Sequence, residues 1–176
     1  MQTVAELMVP VEGYTVVADT DSLLAAIEAL EAASAGMPDD PSRPRDRAVL
    51  VRRADGRILG KLSMWDLLAG LDPRQGHPVD PLSMVETFGL WSHALLRNAP
   101  DAARQMTAGA LLRRAQEHED ERIDAGASMD QAVNQLIRGR YLSLLVTRNS
   151  QIVGILRLSD VFRTVSGLLR RSPAPA

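Results

Sequence analysis

"GKLSMWDLL" (residues 60–68) and "GILRLSDVF" (residues 154–162) are one phrase written twice. Each runs from a glycine through an interrupted apolar pair to a helix-start signal, an aspartate and two apolar residues. Gly60 and Gly154 stand 94 positions apart, and so do Asp66 and Asp160. The copies part company at the fourth letter, which is Ser63 in the first and Arg157 in the second.

Working outward, each phrase closes a longer matching unit. "YTVVA" (14–18) is apolar and β-branched and reads as a strand. "LLAAIEALEAA" (23–33) places Leu23, Ile27 and Leu30 on one helical face, with Asp21 or Ser22 available as cap. "AVLVRR" is continuously apolar before its arginines, the pattern of a strand covered on both faces. "ADGR" then supplies the Asp-Gly of a tight hairpin, "ILGKLS" the return strand and "MWDLLAGL" the closing helix. In the second copy "ERIDA" (121–125) is a short strand, and "SMDQAVNQLIRG" is a helix with Met129, Val133 and Leu136 on one face and Gly139 as its stop. "YLSLLVTR", Asn149-Ser150 and "QIVGILR" form the hairpin, and "LSDVFRTVSGLL" the last helix. The unit is strand–helix–strand–strand–helix, present twice.

The expected organisation follows: a first repeat over 1–72 with a proline-rich insertion at 34–47, a helical connection over 73–120, a second repeat core over 121–169 and a disordered tail at 170–176. Within the connection, "DPLSMVETFGLWSHALLRN" (80–98) and "DAARQMTAGALLRRAQEHEDE" (101–121) each read as a helix. "VAELM" (4–8) is a short amphipathic turn ahead of Pro10. A unit this small cannot cover its own sheet, so the two copies should pack on each other as an α+β fold.

Composition narrows the function classes. The chain has 176 residues, 45% of them apolar and 24% charged, which is ordinary for a globular protein. A net charge of −2 advertises no polyanionic partner, so nucleic acid is not expected. Cysteine is absent, which removes disulfides, thiolate metal sites and thiol nucleophiles and fits a reducing compartment. The sequence offers no signal peptide and no uncharged apolar run near the roughly 18 residues of a membrane span. A cytoplasmic protein without membrane contact is the expectation. His77, His93 and His118 lack metal-ligand spacing, and no phosphate loop or nucleophile elbow is present. No catalytic residue, metal site or required cofactor is expected.

The pattern resembles the tandem CBS-domain pair, or Bateman module. "VAELM", "VVADTDSLLAAIEAL" and "AVLVRRADGRILGKLSMWDLL" carry the resemblance in the first copy, and "SMDQAVNQLIRGRYLSLLVTRNSQIVGILRLSDVF" in the second. Together they cover about two thirds of the chain. Members typically end each repeat in Gly-x-x-Ser/Thr-x-x-Asp, as Gly60, Ser63 and Asp66 do. The resemblance implies two repeats in a pseudo-twofold unit, clefts between them that often hold adenosine-containing ligands, and pairing into homodimers. It implies a regulatory module that responds to AMP, ADP, ATP or S-adenosylmethionine and acts on a regulated protein partner. The alternative it leaves open is a ligand-free dimerisation or docking module.

The residues themselves support two readings at each motif. Ser63-x-x-Asp66 is a capping box, in which the hydroxyl accepts from a backbone N–H and the carboxylate reaches back. The same geometry suits a nucleotide, the carboxylate taking the ribose hydroxyls, with the purine lying near Val16 and Val17. Arg157 has donors only and cannot cap. It either forms a local ion pair or turns its planar fork to phosphate oxygens, while Ser159, next to Asp160, takes over the cap. On either reading the two clefts should differ. The apolar faces of the closing helices, with Leu67, Leu68 and Leu71 in one and Val161, Phe162 and Val165 in the other, offer the homodimer surface. Trp65 and Trp91 are more suited to core or interface than to stacking a base.

Overall fold

The structure, a computed structural model, describes residues 2–35, 47–71, 97, 99–115 and 121–171. In the first repeat β2 (Val16–Ala18), α2 (Leu23–Ala35), β3 (Ala48–Arg52), β4 (Ile58–Ser63) and α3 (Met64–Ala69) follow one another. In the second, β5 (Arg122–Asp124), α5 (Met129–Gly139), β6 (Ser143–Arg148), β7 (Gln151–Arg157) and α6 (Leu158–Arg171) do the same. Ahead of them stand α1 (Val4–Leu7) and β1 (Val9–Pro10); between them lies α4 (Ala108–Arg114). The strand–helix–strand–strand–helix unit therefore occurs twice, as expected. Residues 36–46 of the proline-rich stretch, the segment 80–96, Trp91 and the three histidines lie outside the described residues.

Each repeat lays a parallel pair beside a hairpin. β2 runs parallel to β3, which is antiparallel to β4; β5 runs parallel to β6, which is antiparallel to β7. The hairpins turn where the sequence places the turns. Gly56 takes a φ of 87°, and Asn149 and Ser150 take φ values of 51° and 62°. Positive φ at two central residues matches the right-handed twist of the flanking strands. At the first turn Arg53 donates from Nε to Asp55 Oδ2 at 2.9 Å, which holds the Asp55 carboxyl below its ordinary range and raises Arg53. Both hairpins carry a register irregularity at matching places, Val51/Arg52 and Val146/Thr147.

Three apolar clusters organise the interior. Leu23, Leu30, Val49, Val51 and Leu62 centre the first repeat, and Leu136, Leu144, Val146 and Leu156 the second. Tyr14, Leu50, Ile58, Leu145 and Ile155 form a third cluster that joins the two sheets. Strands β3 and β6 supply side chains to both faces, which is why they read as unbroken apolar runs.

The repeats are also exchanged at their starts. Val4 N–H donates to Ala127 O, Ala5 N–H to Ala125 O, and Met129 N–H to Gln2 O, so the chain's beginning docks on the second repeat. In mirror fashion Ala108 N–H donates to Asp21 O, Gly109 N–H to Asp19 O, and Leu23 N–H to Met106 O. Strand β1 continues the first exchange by pairing with β7, Val9 opposite Ile155.

This exchange breaks the single helix expected over 101–121. Residues 99–105 are helical, but Met106 and Thr107 leave the helix to meet the first repeat, and Thr107 Oγ1 then caps α4 by accepting from Ala110 N–H at 3.2 Å. A second expectation shifts by one residue. Gly139 is the last helical residue of α5, and Arg140 takes the left-handed conformation, φ 53°. Gly139 is needed for space instead, since a Cβ there would lie 1.9 Å from the Tyr141 ring.

Candidate functional site

Each closing helix begins where a hairpin's return strand ends. In the first repeat Ser63 ends β4 and caps α3. Its Oγ accepts from Asp66 N–H at 3.2 Å, while Asp66 Oδ2 accepts from Ser63 N–H at 2.7 Å and from the Ser63 hydroxyl at 2.6 Å. The capping box is thus complete, and both contacts to the carboxylate use one of its oxygens. Among the described residues Asp66 Oδ1 takes no hydrogen bond. A carboxylate fixed by one oxygen and open at the other can still accept from a ligand hydroxyl.

The second repeat resolves the opening difference in another way. Arg157 Nε donates to Asp160 Oδ2 at 2.6 Å and its terminal nitrogen to Oδ1 at 3.3 Å, so both carboxylate oxygens are taken. The two side chains are 16% and 9% exposed. Here the arginine makes the local ion pair. Helix α6 starts at Leu158, immediately after Arg157, so Ser159 is already inside the helix and exposed, and does not stand in the capping position.

Of the two valines near the expected purine, Val17 is buried in the first-repeat core, while Val16 packs toward the cluster between the sheets. Alternation along β2 makes this so. Val17 can offer a ligand its backbone, and Val16 its side chain. The structure brings Ser63 and Asp66 together, and separately Arg157 and Asp160.

Sequence reasoning missed Lys61. It is 9% exposed inside β4, and its ammonium crosses to the second repeat. There it donates to Ser143 O at 2.7 Å and Ser143 Oγ at 3.1 Å, and pairs with Glu121 at 2.9 Å. The signal was a lysine inside the apolar strand "ILGKLS", aligned with Ile155 in the second copy.

The exposed apolar surface differs from the expected face. Leu67 and Val161 are buried in their own repeats. Leu68 and Phe162 of the expected face are exposed, together with Met64 and Trp65 on α3 and Leu158, Leu168 and Leu169 on α6, with Trp65 at 75% and Phe162 at 70%. Among the described residues no cluster of histidine and carboxylates could hold a metal, and no helix is long and apolar enough to cross a membrane.

Comparison with known proteins agrees with this architecture. Residues 121–167 match the CBS-domain family model. The chain superposes on CBSX2 from Arabidopsis thaliana with a TM-score of 0.64 at 18% identity, covering 97% of this chain and 98% of that one. CBSX2 in complex with AMP gives 0.63 at 20% identity, covering 97% and 100%. The CBS domain of a bacterial CNNM/CorC family Mg2+ transporter in complex with ATP gives 0.58 at 15% identity, covering 94% and 88%. No curated protein sequence matches the chain. The chain has the fold of a tandem CBS-domain pair, and residues 121–167 in its second repeat carry the sequence match to the CBS-domain family model.

Proposed function

We propose that this CBS pair is a regulatory module that senses an adenosine-containing nucleotide (AMP, ADP, ATP or S-adenosylmethionine) between its repeats and catalyses no reaction of its own. The observation that carries the reading is Asp66, held by the Ser63 box through one oxygen and open at the other. A ribose diol donates to such a carboxylate, and the purine lies against Val16 and the β2 backbone. The AMP complex of CBSX2 and the ATP complex of the transporter domain support the ligand class. Binding between the repeats shifts their packing, and a second copy on α3 and α6 carries that shift to a regulated protein in the cytoplasm.

The rival reading, a ligand-free docking module, draws on the exposed Trp65 and Phe162. Thermal unfolding separates the two. A ligand at 100 times its dissociation constant adds about 2.7 kcal/mol, and each kcal/mol moves the Tm of a chain this size by roughly 2–4 °C. A rise of several degrees with one of the four nucleotides is expected. No rise with any of them at millimolar concentration would leave the docking reading in its place.

A further inference from the structure

The two clefts are built from matched positions, and the match exposes a difference in charge. At the sheet edge of the first cleft, Ala48 at the start of β3 stands opposite Ser63 at the end of β4, with Thr15 just before the parallel strand β2. At the same edge of the second repeat, Ser143 stands opposite Arg157, with Glu121 just before β5. From across the pseudo-twofold axis, Lys61 reaches into the second edge, and its counterpart in strand position is Ile155. The first set of four carries no charge. The second set carries three charges, and the motif aspartate, Asp66 or Asp160, adds one beside each set.

We infer that the second cleft is closed by the chain's own ion pairs, and that the protein takes up one nucleotide per chain, at the first cleft. This rests on the nucleotide-sensing reading above. Both oxygens of Asp160 are bound by Arg157 and the carboxylate is only 9% exposed beneath it, so a ribose diol finds the acceptor covered by the guanidinium. To enter, two neutral hydroxyls would have to displace a paired guanidinium, which binds a carboxylate more strongly than they do. A phosphate fares no better. The Lys61 ammonium is held between Glu121 and Ser143, and the carboxylates of Glu121 and Asp160 balance both cations. Lys61 and Arg157 act here as internal substitutes for a ligand: they fill and neutralise the space, and Lys61 fastens one repeat to the other.

The test is stoichiometry by isothermal titration of the full chain with AMP, ATP and S-adenosylmethionine in turn. Wild type is expected to bind one molecule per chain. Arg157→Ser, which writes the first-copy motif into the second, is expected to bind two. Asp66→Asn in the wild-type background is expected to lose at least tenfold in affinity and to reveal no second site. Two molecules per wild-type chain would overturn the inference, as would an undiminished site in Asp66→Asn or a single site in Arg157→Ser. Should Arg157→Ser fail to fold, judged by circular dichroism, the Asp66→Asn titration decides alone. Binding by Arg157→Ser but not by wild type would sink the sensing reading at the first cleft while upholding closure of the second. Binding by neither would sink both.

Discussion

Lys61 offers the sharpest test of how the repeats are joined. Lys61→Met keeps most of the unbranched stem and deletes the ammonium, which makes two hydrogen bonds to Ser143 and an ion pair to Glu121. Hydrogen bonds from a charged group contribute about 1.5–3 kcal/mol net. Removing one member of a fully buried pair costs about 3–5 kcal/mol. The Glu121 side chain is 21% exposed and regains some solvation when left alone, so the lower end applies. The expected loss is about 2–3 kcal/mol, read from urea unfolding followed by circular dichroism, or a Tm drop on the order of 4–12 °C. Most of that loss belongs to the abandoned carboxylate. Glu121→Gln added to Lys61→Met should therefore recover part of the loss, with the two hydrogen bonds to Ser143 still missing. A Lys61→Met chain within about 0.5 kcal/mol of wild type, near the spread of ordinary surface substitutions, would refute the reasoning. So would a double variant whose losses simply add.

Three further outcomes follow from the packing. Gly154→Ala sets a Cβ 2.6 Å from Val9 O, so strand β1 must move off β7; the expected cost is about 1–3 kcal/mol, with faster amide exchange at Met8 and Val9. Ser63→Ala removes the α3 cap and should cost about 1 kcal/mol in urea unfolding, even without nucleotide, so affinity losses must be corrected for it. Trp65→Glu and Phe162→Glu, both at exposed positions, should leave the circular dichroism spectrum of the folded chain nearly unchanged while shifting sedimentation from dimer to monomer; a wild-type chain that sediments as a monomer at micromolar concentration would remove the homodimer from the proposal.

What could be read from the sequence was what neighbours in the chain decide. The Asp-Gly turn, the β-branched run of β2 and the Ser63 box rest on residues a few positions apart, and the duplicated order of elements repeats such local signals. What escaped was decided across the repeats. Nothing local in "RQMTAG" says that Met106 and Thr107 must leave a helix; the reason is the set of carbonyls and N–H groups at Asp19, Asp21 and Leu23. β1 carries no sign that its partner is β7. The Ser-to-Arg difference marked Arg157 as unusual, yet its pairing with Asp160 needed the helix register, which also removed Ser159 from the cap. The lysine in β4 was visible as an anomaly, and only the second repeat explains it.

The exchanged starts have a consequence for how the chain acquires its structure. During synthesis residues 2–10 emerge well before their partners at 125–129 and in β7. That segment must wait, undocked, until the second repeat has been made. Contacts so distant along the chain slow folding, because the loop between them is closed before they repay its entropy. Neither half is a separate folding unit: a fragment ending near residue 71 keeps an arm with nothing to dock on and lacks the arm that covers Asp19–Leu23. Such half-chains are expected to stay largely unfolded apart and to gain structure only when mixed, so that both repeats must be made before either is stable.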